Sequence, residues 1–168
     1  MTYHYSLYHQ YSQNEEKSYQ DLLDFLKNSY SNRNYEILLV SGSNKKKNFE
    51  VMNVLSKIKE EKNLKVRLGI AYNPYLKKYY EDTLERERLD RKLSSGLINS
   101  IWFQYGTDIK VLQNEITHIK KVAKHKKINL FGSLLIPSKQ FIARFKFRPW
   151  KGVHTVSYTH LTLPTNTP

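Results

Sequence analysis

Short apolar runs recur along this chain about every thirty residues, and a stretch with helical spacing of apolar residues follows each run. The runs predict strands at 3–8, 36–40, 66–71, 97–103 and 128–136. The stretches that follow predict helices at 15–30, 48–61, 84–93, 108–124 and 141–147. Strict alternation of strand and helix implies an α/β fold with a parallel sheet and right-handed crossovers.

The segment 85–108 shows the repeating unit most clearly. It opens as a charged helix. Gly96 predicts that this helix ends there, with the glycine in the left-handed backbone conformation. The apolar run 97–103 then predicts a buried strand, and Asp108 is a candidate N-cap for the next helix. Gln104 stands at the C-terminal end of this strand, where ligand-contacting groups lie in parallel sheets. Gln104 is therefore either a ligand-binding residue or only the polar end of a strand.

Two architectures contain such units, a doubly wound open sheet and a (β/α)8 barrel. The glycines at 42, 96 and 132 have neither the GxGxxG nor the P-loop spacing that would mark a phosphate-binding doubly wound sheet. The chain has 168 residues, whereas a complete barrel takes about 250. The residue pattern alone leaves the choice between an open sheet and a partial barrel open.

The chain is basic, with 28 Lys and Arg against 15 Asp and Glu and a formal net charge of +13. Such a balance raises nucleic acid, anionic membranes and phosphorylated ligands as partners. The charges are scattered along predicted helix faces, and the clusters at 45–47 and 124–127 fall in predicted loops. We therefore interpret the charge as solvated surface and do not expect nucleic acid as a partner.

Several classes of site are disfavoured by composition. The absence of cysteine excludes disulfides and thiolate metal sites. His118 and His125 lie two helical turns apart, too far to share a metal ion, so no metal site is expected. No apolar run approaches the ~18 residues of a membrane span, and the N-terminus does not resemble a signal peptide. A cytoplasmic location and no membrane association are expected.

The last residues do not follow the pattern. VSYTHLTLPT resembles a translated sequencing adapter, and we expect residues 154–168 to be a non-native tail. The domain is therefore expected at 1–153, as an internal fragment of a longer protein.

Seven motifs in order, HYS, LLVSGS, GIAYNPY, ERERLDRKLSSGL, WFQYGTD, GSLLIPS and FRPWKGV, resemble the methylenetetrahydrofolate reductase family over residues 3–153. The resemblance implies a partial (β/α)8 TIM barrel whose five βα units contain strands three to seven of eight. It also implies an FAD-dependent oxidoreductase that passes a hydride from NAD(P)H to a folate or a related pterin. Homo-oligomerisation is left open.

The resemblance implies cofactor-binding residues at three strand ends. His4 matches a histidine that lies against the flavin, and Tyr72 matches an aromatic residue near it. Ser41, Gly42 and Ser43 match the family's Arg-Gly-Asp segment after strand four. Ser43 is a departure, because a serine cannot supply the negative charge that stabilises a cationic intermediate. This departure motivates an alternative, a non-catalytic flavin- or pterin-binding barrel or partner subunit.

Further residues are implied on the helix and strand that follow. Arg88, Arg91 and Lys92 match the helix that holds the phosphates and adenosine of FAD, for which cationic donors are suited. Gln104 matches the glutamine that hydrogen-bonds the pterin of the substrate. The catalytic residue is unknown, because the family's catalytic glutamate lies on a strand upstream of this sequence. The fragment itself is expected to be inactive.

Overall fold

The alternation of strand and helix predicted from the sequence is present in the computed structural model, which describes residues 2–6, 15–29, 36–40, 51–61, 64, 66–76, 84–124, 126–133, 138–148 and 153. The strands are β1 (Thr2–Ser6), β2 (Glu36–Val40), β3 (Arg67–Tyr72), β4 (Ile98–Phe103) and β5 (Asn129–Phe131). The helices of nine or more residues are α1 (Glu15–Ser29), α2 (Val51–Glu60), α3 (Leu84–Ser94), α4 (Ile109–Ala123) and α5 (Lys139–Phe147).

The five strands form one parallel sheet in the order β1-β2-β3-β4-β5. Each strand therefore pairs with its neighbour in sequence, and the order never reverses. A doubly wound sheet requires a reversal, at the point where its ligand binds. The described strands do not form that arrangement. Their order is compatible with a partial α/β barrel.

Helix ends follow the local sequence closely. The Asp108 side chain accepts a hydrogen bond from the backbone N–H of Val111 at 3.1 Å and caps α4, as predicted. Gly96 has φ +76°, the left-handed conformation predicted for the residue that ends α3. Ser138 caps α5 by accepting from the N–H of Phe141 at 3.1 Å, so this helix begins two residues earlier than predicted.

The fifth strand is shorter than predicted. The sequence pattern placed it at 128–136, whereas the ladder with β4 covers Asn129–Phe131 alone. Gly132 follows directly, and glycine weakens a strand because it has no side chain to pack and the most backbone freedom to lose. Residues 134–137 lie outside the described part of the chain.

Helices α1, α2, α3 and α4 pack against one face of the sheet and form a single apolar core with it. The strand residues that enter it alternate along β2 and β3, as the two-residue period of a strand requires, and along β4 except for one irregularity between Ile98 and Ile101. They are Ile37, Leu39, Leu68, Ile70, Tyr72, Ile98, Ile101 and Phe103. Because these helices share one core on one face, the opposite face of the sheet is left for other contacts. None of the helices in the described ranges is long and apolar enough to cross a membrane.

Candidate functional site

The face of the sheet opposite the helices carries polar and aromatic side chains. Alternation assigns to it Glu36 and Leu38 of β2, Gly69 of β3, Ser100 and Trp102 of β4, and Phe131 of β5. Ser100 is fully buried, and among the described residues only Glu36, Ser100 and Glu115 are both buried and polar or charged. Since core contacts do not account for these residue types, this face is the candidate functional site.

Two aromatic rings meet on this face near the C-terminal ends of β4 and β5. Trp102 and Phe131 are register partners, and their rings stack with centroids 4.4 Å apart and planes at 23°. Phe131 is 38% exposed and Trp102 is partly exposed. We call this pair the aromatic shelf. Ligands of parallel α/β folds bind at this end of the strands.

A β-bulge positions the indole of the shelf. The β3–β4 register runs from Leu68 opposite Ile98 directly to Gly69 opposite Ser100, so Asn99 is the additional residue. The Asn99 side chain accepts a hydrogen bond from the backbone N–H of Leu68 at 3.0 Å. An extra residue changes which face the following side chains point to. The bulge therefore places Ser100 and Trp102 on the side of the sheet away from the helices.

Ser100 and Gly69 then fix the orientation of the indole. The Nε1–H of Trp102 donates to Ser100 Oγ at 3.0 Å. A Cβ atom at position 69 would lie 2.6 Å from Ser100 Oγ and 3.1 Å from Trp102 Nε1. Such contacts are too close to be tolerated without displacement, so only glycine at 69 allows this arrangement.

The other end of the same face carries charge. Glu36 and Arg67 begin β2 and β3 as register partners, and Arg67 Nη2 lies 3.7 Å from Glu36 Oε2. The Glu36 side chain is buried, and its Oε1 has no hydrogen-bond partner among the described residues. A buried carboxylate oxygen without a donor is costly. This pair lies at the N-terminal end of the strands, about the length of the strand away from the shelf.

Tyr72, predicted to lie near a flavin, has its ring in the core on the helix side of the sheet. Its hydroxyl donates to Glu115 Oε2 of α4 at 2.6 Å. Arg86 of α3 binds the same carboxylate, with Nε 3.2 Å from Oε2 and Nη2 on Oε1. Burial, and then the hydrogen bond to Glu115, raise the pKa of Tyr72, and the bond to Glu115 raises the pKa of Arg86. The structure therefore gives Tyr72 a partner in the helix layer and does not bring it to the shelf.

Gln104, predicted to bind substrate, lies beside the shelf. Its backbone N–H donates to the carbonyl of Tyr72 at 2.8 Å and so extends the β3–β4 ladder by one residue. By alternation Gln104 belongs to the same face as Trp102. The side chain is exposed, and its Oε1 accepts from the backbone N–H of Tyr105 at 3.1 Å. Burial raises the pKa of the Tyr105 hydroxyl.

The three predicted phosphate-binding cations lie together on α3. Arg88, Arg91 and Lys92 are spaced i, i+3 and i+4, so they share one face of the helix. Arg88 pairs with Glu85 of the preceding turn at 3.2 Å, and Arg91 is exposed. They are not brought together with the shelf, because α3 packs on the opposite face of the sheet.

The remaining predicted residues are placed only in part. His4 lies on β1 opposite Leu38 in the register, which fixes its position in the sheet. Ser41, Gly42 and Ser43 lie outside the described residues. Trp102 and Phe131 are not among the residues predicted from the sequence to bind a ligand. Their signal was available as two aromatic residues near the ends of consecutive predicted strands, one of them within the motif WFQYGTD.

Within the described ranges, no group of three or more His, Asp or Glu side chains could hold a metal ion. No protein-family model matches the chain, and no curated protein matches it.

Proposed function

We propose that this chain is part of a flavin-dependent oxidoreductase that resembles the methylenetetrahydrofolate reductase family, in which FAD passes a hydride from NAD(P)H to a folate or a related pterin. The observation that carries the proposal is the aromatic shelf, Trp102 on Phe131, at the C-terminal ends of adjacent parallel strands. We also propose that the sheet is an arc of a (β/α)8 barrel. The consecutive parallel order, with helices α1, α2, α3 and α4 on one face, supports this.

The shelf has the chemistry that a planar heteroaromatic ring requires. Aromatic rings prefer offset stacking, and such contacts contribute about 0.5–1.5 kcal/mol beyond the area that they bury. An isoalloxazine or pterin ring stacked on this shelf would meet two partly exposed rings, of which the indole is already held by Ser100. Gln104, at the same strand end, offers an amide donor and acceptor to the polar edge of such a ring. The bound flavin would supply the hydride chemistry, and these residues would orient it.

The alternative is a barrel or partner subunit that binds a flavin or pterin without turning it over. Ser43 favours it, because the family has an aspartate at that position. A neutral hydroxyl does not stabilise a developing positive charge as a carboxylate does. Both proposals require the same stacking surface, so ring binding is tested first and turnover second.

Ring binding is tested by titrating FAD into the purified chain and following flavin fluorescence anisotropy. Trp102→Leu keeps an apolar side chain but removes the stacking surface, and we expect the Kd to rise about 2- to 13-fold, the loss of about 0.5–1.5 kcal/mol of stacking. The control is Leu84→Ala, which truncates a hydrophobic side chain that is 50% exposed on α3, on the other side of the sheet from the shelf, and should leave the Kd unchanged. Equal Kd values for wild type and Trp102→Leu would refute the shelf as the flavin site.

A second pair of variants tests the geometry of the shelf rather than its surface. Gly69→Ala introduces a Cβ atom against Ser100 and Trp102, whereas a Cβ at Gly132 meets nothing within 4 Å. We expect Gly69→Ala to weaken FAD binding and Gly132→Ala to leave it unchanged. Bleaching of the bound flavin by anaerobic NAD(P)H would exclude the non-catalytic alternative, because it requires a hydride acceptor in working position.

A further inference from the structure

The charge of this chain is divided unevenly along the sequence. All 15 acidic residues precede position 116, where they stand against 18 basic ones. From 116 to 153 there are ten Lys and Arg and no Asp or Glu. The net charge therefore comes mostly from a quarter of the chain. This local excess differs from the scattered pattern that the whole-chain count suggested, and it favours a polyanion as a partner for this segment.

Helix α5, within the acid-free segment, borders an open cleft. The cleft has a volume of about 730 Å³. The described residues that line it are Ser138, Gln140, Phe141, Arg144, Phe145, Phe147 and Arg148. The rings of Phe141 and Phe145 stack with centroids 5.6 Å apart. Phe147 is 83% exposed, the highest exposure among the large hydrophobic residues that the structure describes. An exposed phenylalanine in a basic cleft has no role in the core of this fold.

The order of side chains around α5 distinguishes between partners. At about 100° per residue, Arg144 and Arg148 lie between Phe147 on one side and the Phe141–Phe145 pair on the other. A helix that lies on a membrane separates a continuous apolar face from its cationic face. Here cations and rings are interleaved across one face. Interleaved arginine and aromatic side chains are instead suited to a strand of alternating phosphates and bases.

We propose that the α5 cleft, lined by Phe141, Arg144, Phe147 and Arg148, binds single-stranded nucleic acid. The guanidinium groups would contact phosphates, and an unpaired base would stack on the exposed ring of Phe147. Binding would be independent of sequence, because every base has a π-face and every nucleotide a phosphate. The acid-free segment would add long-range attraction, including Lys120, Lys124 and Lys127 around a second cleft of about 220 Å³.

The proposal is tested with the full chain and a fluorescein-labelled oligothymidylate of about twelve nucleotides, a length within the usual site size. Anisotropy gives the Kd across a series of salt concentrations. Phe147→Ala should raise the Kd roughly 5- to 150-fold, since stacking of one base contributes about 1–3 kcal/mol. The control is Leu84→Ala, which truncates another exposed hydrophobic side chain, 50% exposed on α3, and should change nothing.

Charge is tested separately. The double variant Arg144→Gln/Arg148→Gln should flatten the slope of log Kd against log salt by about 1.4, because each phosphate contact to a single strand contributes about 0.7. The matched control removes the same charge from exposed helix positions elsewhere, with Lys59→Gln/Lys110→Gln, and should leave the slope near that of wild type. Circular dichroism of each variant checks that the helices are retained.

Three results would overturn the proposal. Equal slopes for the arginine and lysine double variants would show that net charge alone binds the oligonucleotide. A Phe147→Ala variant with wild-type Kd would remove the stacking contact. Tighter binding to vesicles of phosphatidylserine than to the oligonucleotide, abolished by Phe147→Ala, would assign the cleft to a membrane. Trp102→Leu should leave oligonucleotide binding unchanged, which separates this proposal from the flavin site.

Discussion

The buried carboxylate of Glu115 ties α3 and α4 to the end of β3, and its removal is the most informative perturbation of this fold. It accepts from the Tyr72 hydroxyl at 2.6 Å and from Arg86. Its side chain is 6% exposed, whereas that of Arg86 is 33% exposed. Glu115→Ala therefore leaves one fully buried donor, the tyrosine, and one donor that can turn partly to water.

The cost follows from these two donors. A buried hydroxyl that loses its acceptor costs about 1–3 kcal/mol. Removing one member of a fully buried ion pair costs about 3–5 kcal/mol, and the exposure of Arg86 reduces that contribution well below this range. We expect Glu115→Ala to lower the free energy of unfolding by about 2–4 kcal/mol. Glu115→Gln, which keeps an acceptor for Tyr72, should cost about half as much, roughly 1–2 kcal/mol.

Urea unfolding followed by circular dichroism measures both values, with Glu87→Ala as the control because Glu87 is exposed on α3. A double variant adds the decisive comparison. Tyr72→Phe in the Glu115→Ala background removes the orphaned hydroxyl, so it should recover part of the lost stability, whereas Tyr72→Phe alone should destabilise. If Glu115→Ala costs no more than Glu87→Ala, or if Tyr72→Phe is equally harmful in both backgrounds, the reasoning about this cluster is wrong.

Three further predictions concern the same end of the sheet. Gly106→Ala should destabilise by about 1–3 kcal/mol, because its Cβ would lie 2.1 Å from the buried ring of Tyr75, whereas Gly132→Ala, in open space, should be nearly neutral; urea unfolding compares them. The raised pKa of Tyr72 means that its proton is held in the folded chain after the unfolded chain has released it. Its contribution is therefore complete below pH ~10 and is lost as the pH rises further, so stability should fall less steeply above that pH in Tyr72→Phe, by up to ~1.4 kcal/mol per pH unit. Asp108→Ala removes the cap of α4 and should cost about 1 kcal/mol by thermal unfolding, and Asp108→Asn should recover most of it.

The fold was predictable because local signals and burial agreed. The run EILLV at 36–40 is a strand with the predicted bounds. Gly96 ends a helix and Asp108 begins one, as their backbone preferences require. The parallel sheet followed from strict alternation. The consecutive strand order did not, because the sequence determines which segments are strands but gives no signal for the side of the sheet on which each helix packs.

The candidate site was less predictable, because it depends on which face of the sheet each strand residue points to. Tyr72 and Gln104 both stand at strand ends, and both were predicted to face a ligand. Tyr72 points to the same side of the sheet as Leu68 and Ile70, which lie in the core with the helices, so its hydroxyl bonds to Glu115 and not to a group on the face that carries Trp102. Gln104 belongs to the opposite face and lies beside the shelf.

The bulge at Asn99 explains why the face of each β4 side chain could not be predicted from the sequence, because the extra residue reverses the alternation that follows it. Without the extra residue, Ile98 and Ser100 would share a face, and either the core would lose Ile98 or the shelf would lose Trp102. The structure keeps both, with Ile98 and Ile101 in the core and Ser100 and Trp102 on the other face. The side chain of Asn99 compensates for the interrupted ladder, because it accepts a hydrogen bond from the backbone N–H of Leu68 at the point of interruption. The bulge interrupts the ladder, and the glycine at position 69 weakens the neighbouring strand. A strand that served packing alone would need neither of them. The same device is expected where a strand must present a side chain to a ligand, and for that reason the shelf, rather than Tyr72, is where the binding experiments are directed.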